Sequence, residues 1–104
     1  LSGVLRGCNA LVHLDLRWNN IGPEGAKFAK GLRKLPALAH LDLFGNKIGD
    51  VGMRWLGEAL SACKALTQLD LGRNEFGPVG AHVLAASLGL CTLLTRLDLG
   101  RNRI

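Results

Sequence analysis

Two short phrases carry side chains that could do chemistry together: His13-Leu-Asp15 and His40-Leu-Asp42. In extended backbone alternate residues point to the same side, so each phrase sets an imidazole and a carboxylate on one face. On neighbouring strands, two such pairs would offer nitrogen and oxygen donors to zinc or a similar ion. The competing reading is coincidence at variable surface positions, and no metal or cofactor is assigned on the pattern alone.

The same outward positions recur along the chain. One column reads His13, His40, Gln68 and Arg96, and a second reads Asp15, Asp42, Asp70 and Asp98. Four carboxylates at strand spacing repel one another unless cations or hydrogen bonds intervene. The Asp column therefore reads either as part of a binding face or as turn caps that also neutralise nearby arginines. Beside it stand two large aromatics, Trp18 and Phe44, with Arg17, Arg73, Arg96 and Arg101. Aromatics and arginine are favoured anchors at protein interfaces, which makes these residues the expected partner-binding patch. The bland alternative is edge packing under a neighbouring repeat or loop. Catalysis has no comparable support. No nucleophile–base pair, phosphate-cradling Gly-x-Gly-x-x-Gly or distinguishable acid and base is present, so the chain is not read as an enzyme.

What must position these residues is a repeat. Leu11-Val-His-Leu-Asp-Leu-Arg-Trp-Asn19 returns as Leu38…Asn46, Leu66…Asn74 and Leu94…Asn102, with the asparagines 27, 28 and 28 residues apart. A period of that size predicts a solenoid in which each unit touches only its neighbours. The alternation places Leu14/Leu16, Leu41/Leu43, Leu69/Leu71 and Leu97/Leu99 inward on parallel strands near 12–16, 39–43, 67–71 and 95–99. Asn19, Asn46, Asn74 and Asn102 are read as structural, because a buried amide satisfies turn groups that have no ladder partner. Gly-x-x-Gly then leads into apolar residues at three- and four-residue steps, such as Met53, Leu56, Leu60 and Cys63, which predict a helix in each unit. Pro23 and Pro78 suit the first helical turn. The first full unit is one residue short and carries Gly31, so its helix is expected to be irregular. Helices need more room than strands, so the stack should curve, with the strands on the concave side.

The Leu-x-x-Leu-x-Leu-x-x-Asn phrase, the Gly22-Pro-Glu-Gly-Ala26 and Gly77-Pro-Val-Gly-Ala81 turns and the 27–28-residue period resemble the ribonuclease-inhibitor-like class of leucine-rich repeats. That class includes ribonuclease inhibitor, the sensing regions of nucleotide-binding immune receptors, and activators of the Ran GTPase. The resemblance implies an α/β horseshoe that binds proteins on its concave face or rim. This chain departs from ribonuclease inhibitor in its near-uniform repeat length, its basic charge and its few cysteines.

Composition bounds the rest. The 104 residues form one segment of about three and a half repeats. The start at Leu1 and the stop at Ile104 are expected to cut it from a longer chain. A net charge of +5 favours acidic protein partners. No basic stripe interleaved with aromatics suggests nucleic acid, and no apolar run is long enough to span a membrane. Cys8, Cys63 and Cys91 occupy the slot that Leu35 fills in the remaining unit, so they read as buried apolar residues. Buried free thiols suit a reducing compartment, and an intracellular, cytoplasmic location is expected. The primary expectation is thus a protein-interaction scaffold. The alternatives are a structural subunit docked through a basic convex face at Lys27, Lys30 and Lys34, and a GTPase-activator-like regulatory region.

Overall fold

A computed structural model describes residues 10–104; the Cys8 slot lies outside them. The Leu-x-Leu alternation forms four short strands, β1 (His13–Asp15), β2 (His40–Asp42), β3 (Gln68–Asp70) and β4 (Arg96–Asp98). They pair in parallel and in sequence order as one sheet. The register aligns His13, His40, Gln68 and Arg96, then Leu14, Leu41, Leu69 and Leu97, then the four aspartates.

Each strand is three residues long, shorter at both ends than the expected five. The cause is backbone geometry just beyond the strand. Trp18, Gly45, Arg73 and Arg101 adopt left-handed φ of 57°, 72°, 50° and 59°, which turns the chain out of the ladder. Inter-unit bonds nevertheless run further, from Leu16 N to Asp42 O (2.9 Å) and from Trp18 N to Phe44 O (2.9 Å).

Helices complete each unit: a single turn α1 (Gly22–Gly25), then α2 (Gly49–Leu60) and α3 (Pro78–Leu88). After α1 the first unit continues as a 3₁₀ helix over Ala26–Lys34. That is the irregularity expected of the short unit. A 3₁₀ helix rises about 2.0 Å per residue against 1.5 Å for an α-helix, so it covers the same span with fewer residues.

The core lies between sheet and helices. Leu41, Leu43, Leu69 and Leu71 meet Leu32, Met53, Leu56, Leu60 and Leu84, with Ile48 and Phe76 buried at the turns. Each fully buried leucine contributes about 1.5–3 kcal/mol. Cys63 and Cys91 are buried in the slot that Leu35 fills. Burial, and then the neighbouring Cys91, pushes the Cys63 thiol up to about 11.

Two polar devices tie unit to unit. The first is an amide ladder. Asn74, fully buried, accepts from the N–H of Asn46 (3.1 Å) and of Ile48 (3.4 Å) and donates to Leu43 O and Gly72 O (both 2.9 Å). Asn46 and Asn102 bridge to the preceding unit in the same way. Asn19 is exposed, and among the described residues its amide donates only to Arg17 O (3.1 Å). The second device was not legible in the repeat phrase. Asp50, in the first turn of α2, accepts from Gly77 N (2.8 Å) and Gly80 N (2.9 Å) and so caps α3 of the next unit. Gly80 is required there, because a Cβ would collide with the Asp50 carboxylate.

Candidate partner-binding face

The strand face presents the two expected columns in register. His13 and His40 do not splay around a common point. Their rings stack with centroids 4.0 Å apart and planes at 16°. Each aspartate uses an oxygen to close a turn, accepting the N–H two residues on: Asp15 from Arg17 (3.1 Å), Asp42 from Phe44 (3.1 Å), Asp70 from Gly72 (2.9 Å) and Asp98 from Gly100 (2.8 Å).

Arg17 answers the first part of the charge problem. Its guanidinium donates to both oxygens of Asp15 (3.0–3.2 Å) and lies 3.5 Å from Asp42. These bonds hold the Asp15 carboxyl below its ordinary value and raise Arg17. Asp70 goes the other way. Partial burial raises it most, and the charges of Asp42 and Asp98 add to the rise. A depression of about 200 Å³ lies here, lined by His40, Asp42, Gln68, Asp70, Arg96 and Asp98.

The suggested zinc cluster of His13, Asp15, His40 and Asp42 is not assembled. The two imidazoles stack on one another, and Asp15 is committed to Arg17. Among the described residues no group of three or more His, Cys, Asp or Glu side chains is placed to hold a metal ion.

At the strand exits the aromatic patch forms a staircase. Trp18 is 65% exposed, and its indole meets the ring of the half-buried Phe44 edge-on, centroids 5.2 Å apart at 79°. Each ring lies over the glycine of the next unit, Trp18 over Gly45 and Phe44 over Gly72. Beyond Trp18 opens a slot of about 270 Å³, lined by Trp18, Gly45, Lys47, Arg73, Glu75, Arg101 and Arg103.

The repeated scaffold beneath this face matches a known family. Leucine Rich repeat sequences match residues 7–28, 34–56, 62–85 and 90–104. The chain is a leucine-rich-repeat protein. No curated protein matches it. Among solved structures it is similar to "Leiomodin-1 Actin-Binding Site 2 (ABS2)", with a TM-score of 0.83 at 17% identity over 97% of this chain. It is also similar to the tropomodulin C-terminal domain of Caenorhabditis elegans, with a TM-score of 0.81 at 16% identity over 94% of this chain. At such identity the likeness concerns the fold. The chain spans 60% of the length of each of those structures.

Within this leucine-rich-repeat frame the expected patch divides. Arg73 and Arg101 join Trp18 at the rim slot, whereas Arg96 lines the central depression with Asp42, Asp70 and Asp98, and Arg17 is held by Asp15. Phe44 supports Trp18 from beside the slot. Lys47, Glu75 and Arg103 were not singled out from the sequence, yet the signal was there. Each follows the repeat asparagine by one residue, and Lys47 and Glu75 share the left-handed φ of Asn20. On the helical side Lys27 and Lys30 lie 5.3 and 5.1 Å from the Trp55 ring centre, Lys27 pairs with Glu24 (2.9 Å), and Arg33 pairs with Glu58 (3.2 Å). Among the described residues no helix is long and apolar enough to cross a membrane.

Proposed function

We propose that this leucine-rich-repeat protein is an intracellular protein-interaction scaffold that engages its partner through the strand face and its rim. The observation that carries the reading is Trp18. A large aromatic that is 65% exposed, braced by Phe44 and flanked by arginines, is what an interface anchor requires. The Asp42–Asp70–Asp98 column beside it supplies polar contacts of opposite sign, which fixes orientation more than affinity. A site of this make-up binds; it has no group poised to transfer a proton or attack a bond.

The convex alternative is weaker, because its basic residues are largely spoken for. Lys27 and Lys30 lie on Trp55, and Lys27 and Arg33 have carboxylate partners.

Photo-crosslinking tests the reading. A photoreactive side chain placed at Trp18 or Phe44 should capture a partner, and one at Val51 or Val79 on the helical side should not. Adducts confined to Val51 and Val79 would reject it. The leiomodin structure is named for an actin-binding site, so actin is the first defined partner to assay, by co-sedimentation with Trp18→Ala as the control.

A further inference from the structure

The rim slot carries more information than an exposed tryptophan. Its lining sets four cations, Lys47, Arg73, Arg101 and Arg103, against one carboxylate, Glu75. Among the described residues none of the four cations makes an ion pair or a side-chain hydrogen bond; such contacts are confined to Arg17, Lys27 and Arg33. Clustered cations without internal partners repel one another, and an incoming anion relieves that repulsion.

The geometry narrows the anion. Arg73 and Arg101 hold equivalent positions on adjacent units, joined by Arg73 N to Gly100 O at 2.9 Å, and both line the slot. Adjacent units lie about 4.8 Å apart and same-side residues of an extended chain about 6.6–6.8 Å, a mismatch that long arginine side chains absorb. The exposed indole face at one end suits an aromatic or apolar side chain. The slot is short. A long polyanion continuing from it across the strand face would meet Asp42, Asp70 and Asp98, whereas a short acidic stretch ends before them.

We infer that this slot docks an acidic peptide segment of a protein partner, with carboxylates on Lys47, Arg73, Arg101 and Arg103 and an aromatic side chain against Trp18. The inference rests on the interaction reading above and adds the chemistry of the partner.

The probe is a synthetic peptide, Glu-Glu-Phe-Glu-Glu, titrated into the intact protein labelled with 15N at tryptophan. Trp18 on the rim and Trp55 on the helical side give separate indole signals, assigned with Trp18→Phe and Trp55→Phe. The peptide should shift the Trp18 signal and leave Trp55 in place. Arg73→Glu with Arg101→Glu should weaken binding by about tenfold or more, and added salt should weaken it too. A Lys-Lys-Phe-Lys-Lys peptide should not bind. The Trp55 signal in the charge-reversed protein checks that the fold persists. Equal binding of both peptides, a shift confined to Trp55, or no shift at all would overturn the inference. So would a single-stranded oligonucleotide that displaces the peptide at much lower concentration. A peptide that fails while photo-crosslinks persist at Trp18 would refute the acidic chemistry alone, and loss of the crosslinks would refute the interaction reading itself.

Discussion

The indole of Trp18 rests on the backbone of Gly45, so close that a Cβ at position 45 would stand 2.5 Å from the ring. The exposed indole is therefore held by an absent side chain in the next unit. Gly45→Ala should displace the indole and must also place alanine at φ +72°. The strain costs about 1–3 kcal/mol. The check is a change in Trp18 fluorescence together with a lower melting temperature; an unchanged Trp18 environment would remove Gly45 from the account.

Asn74 and Asn19 occupy the same place in the repeat phrase but not in the fold. Asn74→Ala strands the N–H groups of Asn46 and Ile48 in the interior, whereas Leu43 O keeps the Asn46 amide and Gly72 O keeps Gly45 N. Orphaning buried polar groups costs roughly 1–3 kcal/mol apiece, so urea unfolding should show a loss of several kcal/mol, tempered by any water that enters. Asn19→Ala should lose less than about 1 kcal/mol, since its amide is exposed and makes one local bond among the described residues. Similar losses for the two would contradict the buried-ladder account.

Acid should act on Asp15 and Asp70 in opposite senses. Partial burial, then Asp42 and Asp98, raise Asp70 above its ordinary 3.8, so the folded chain holds that proton more tightly than the unfolded one. The ionised carboxylate then costs stability above the raised value, and the cost disappears below 3.8. Asp70→Asn keeps an oxygen for Gly72 N and should stabilise at pH 7 by less than about 1 kcal/mol, an advantage that fades on acidification. Asp15 is held low by Arg17, so its contribution is present above 3.8 and is lost as pH falls through its folded-state value. Unfolding of Asp15→Asn and Asp70→Asn across pH 3–7 checks both signs.

The Cys63 thiol, raised to about 11, carries almost no thiolate at pH 8. Iodoacetamide should leave Cys63 and Cys91 unmodified in the folded protein and alkylate both in guanidinium, as read by peptide mass spectrometry. Rapid labelling of folded Cys63 would contradict the burial.

Cap removal separates the two inter-unit devices. Asp50→Ala should cost about 1–2 kcal/mol by releasing Gly77 N and Gly80 N, and Asp50→Asn, which retains an acceptor, should cost less. Equal losses would mean that the charge, and not the hydrogen bond, matters.

The period, the inward leucines, the parallel sheet, the irregular first helix and the buried cysteine slot were all legible in the residues. Each follows from local rules: alternation in strands, helical spacing, and the demand that every unit bury the same face. The amide ladder was legible for a related reason, since a polar residue recurring at a turn must answer turn backbone groups. Relationships between side chains of different units were not. Whether His13 and His40 converge on an ion or stack, whether Trp18 stands free or leans on Gly45, and which arginines share a slot all depend on rotamers and inter-unit offsets. A repeat phrase cannot encode those offsets. The sequence by itself determined a leucine-rich-repeat scaffold and the columns of residues on its face. Only the tertiary structure decided which neighbours in those columns neutralise each other and which stand unpaired among the described residues, because charges and rings pair across units at distances of 3–5 Å, set by how one unit seats on the next.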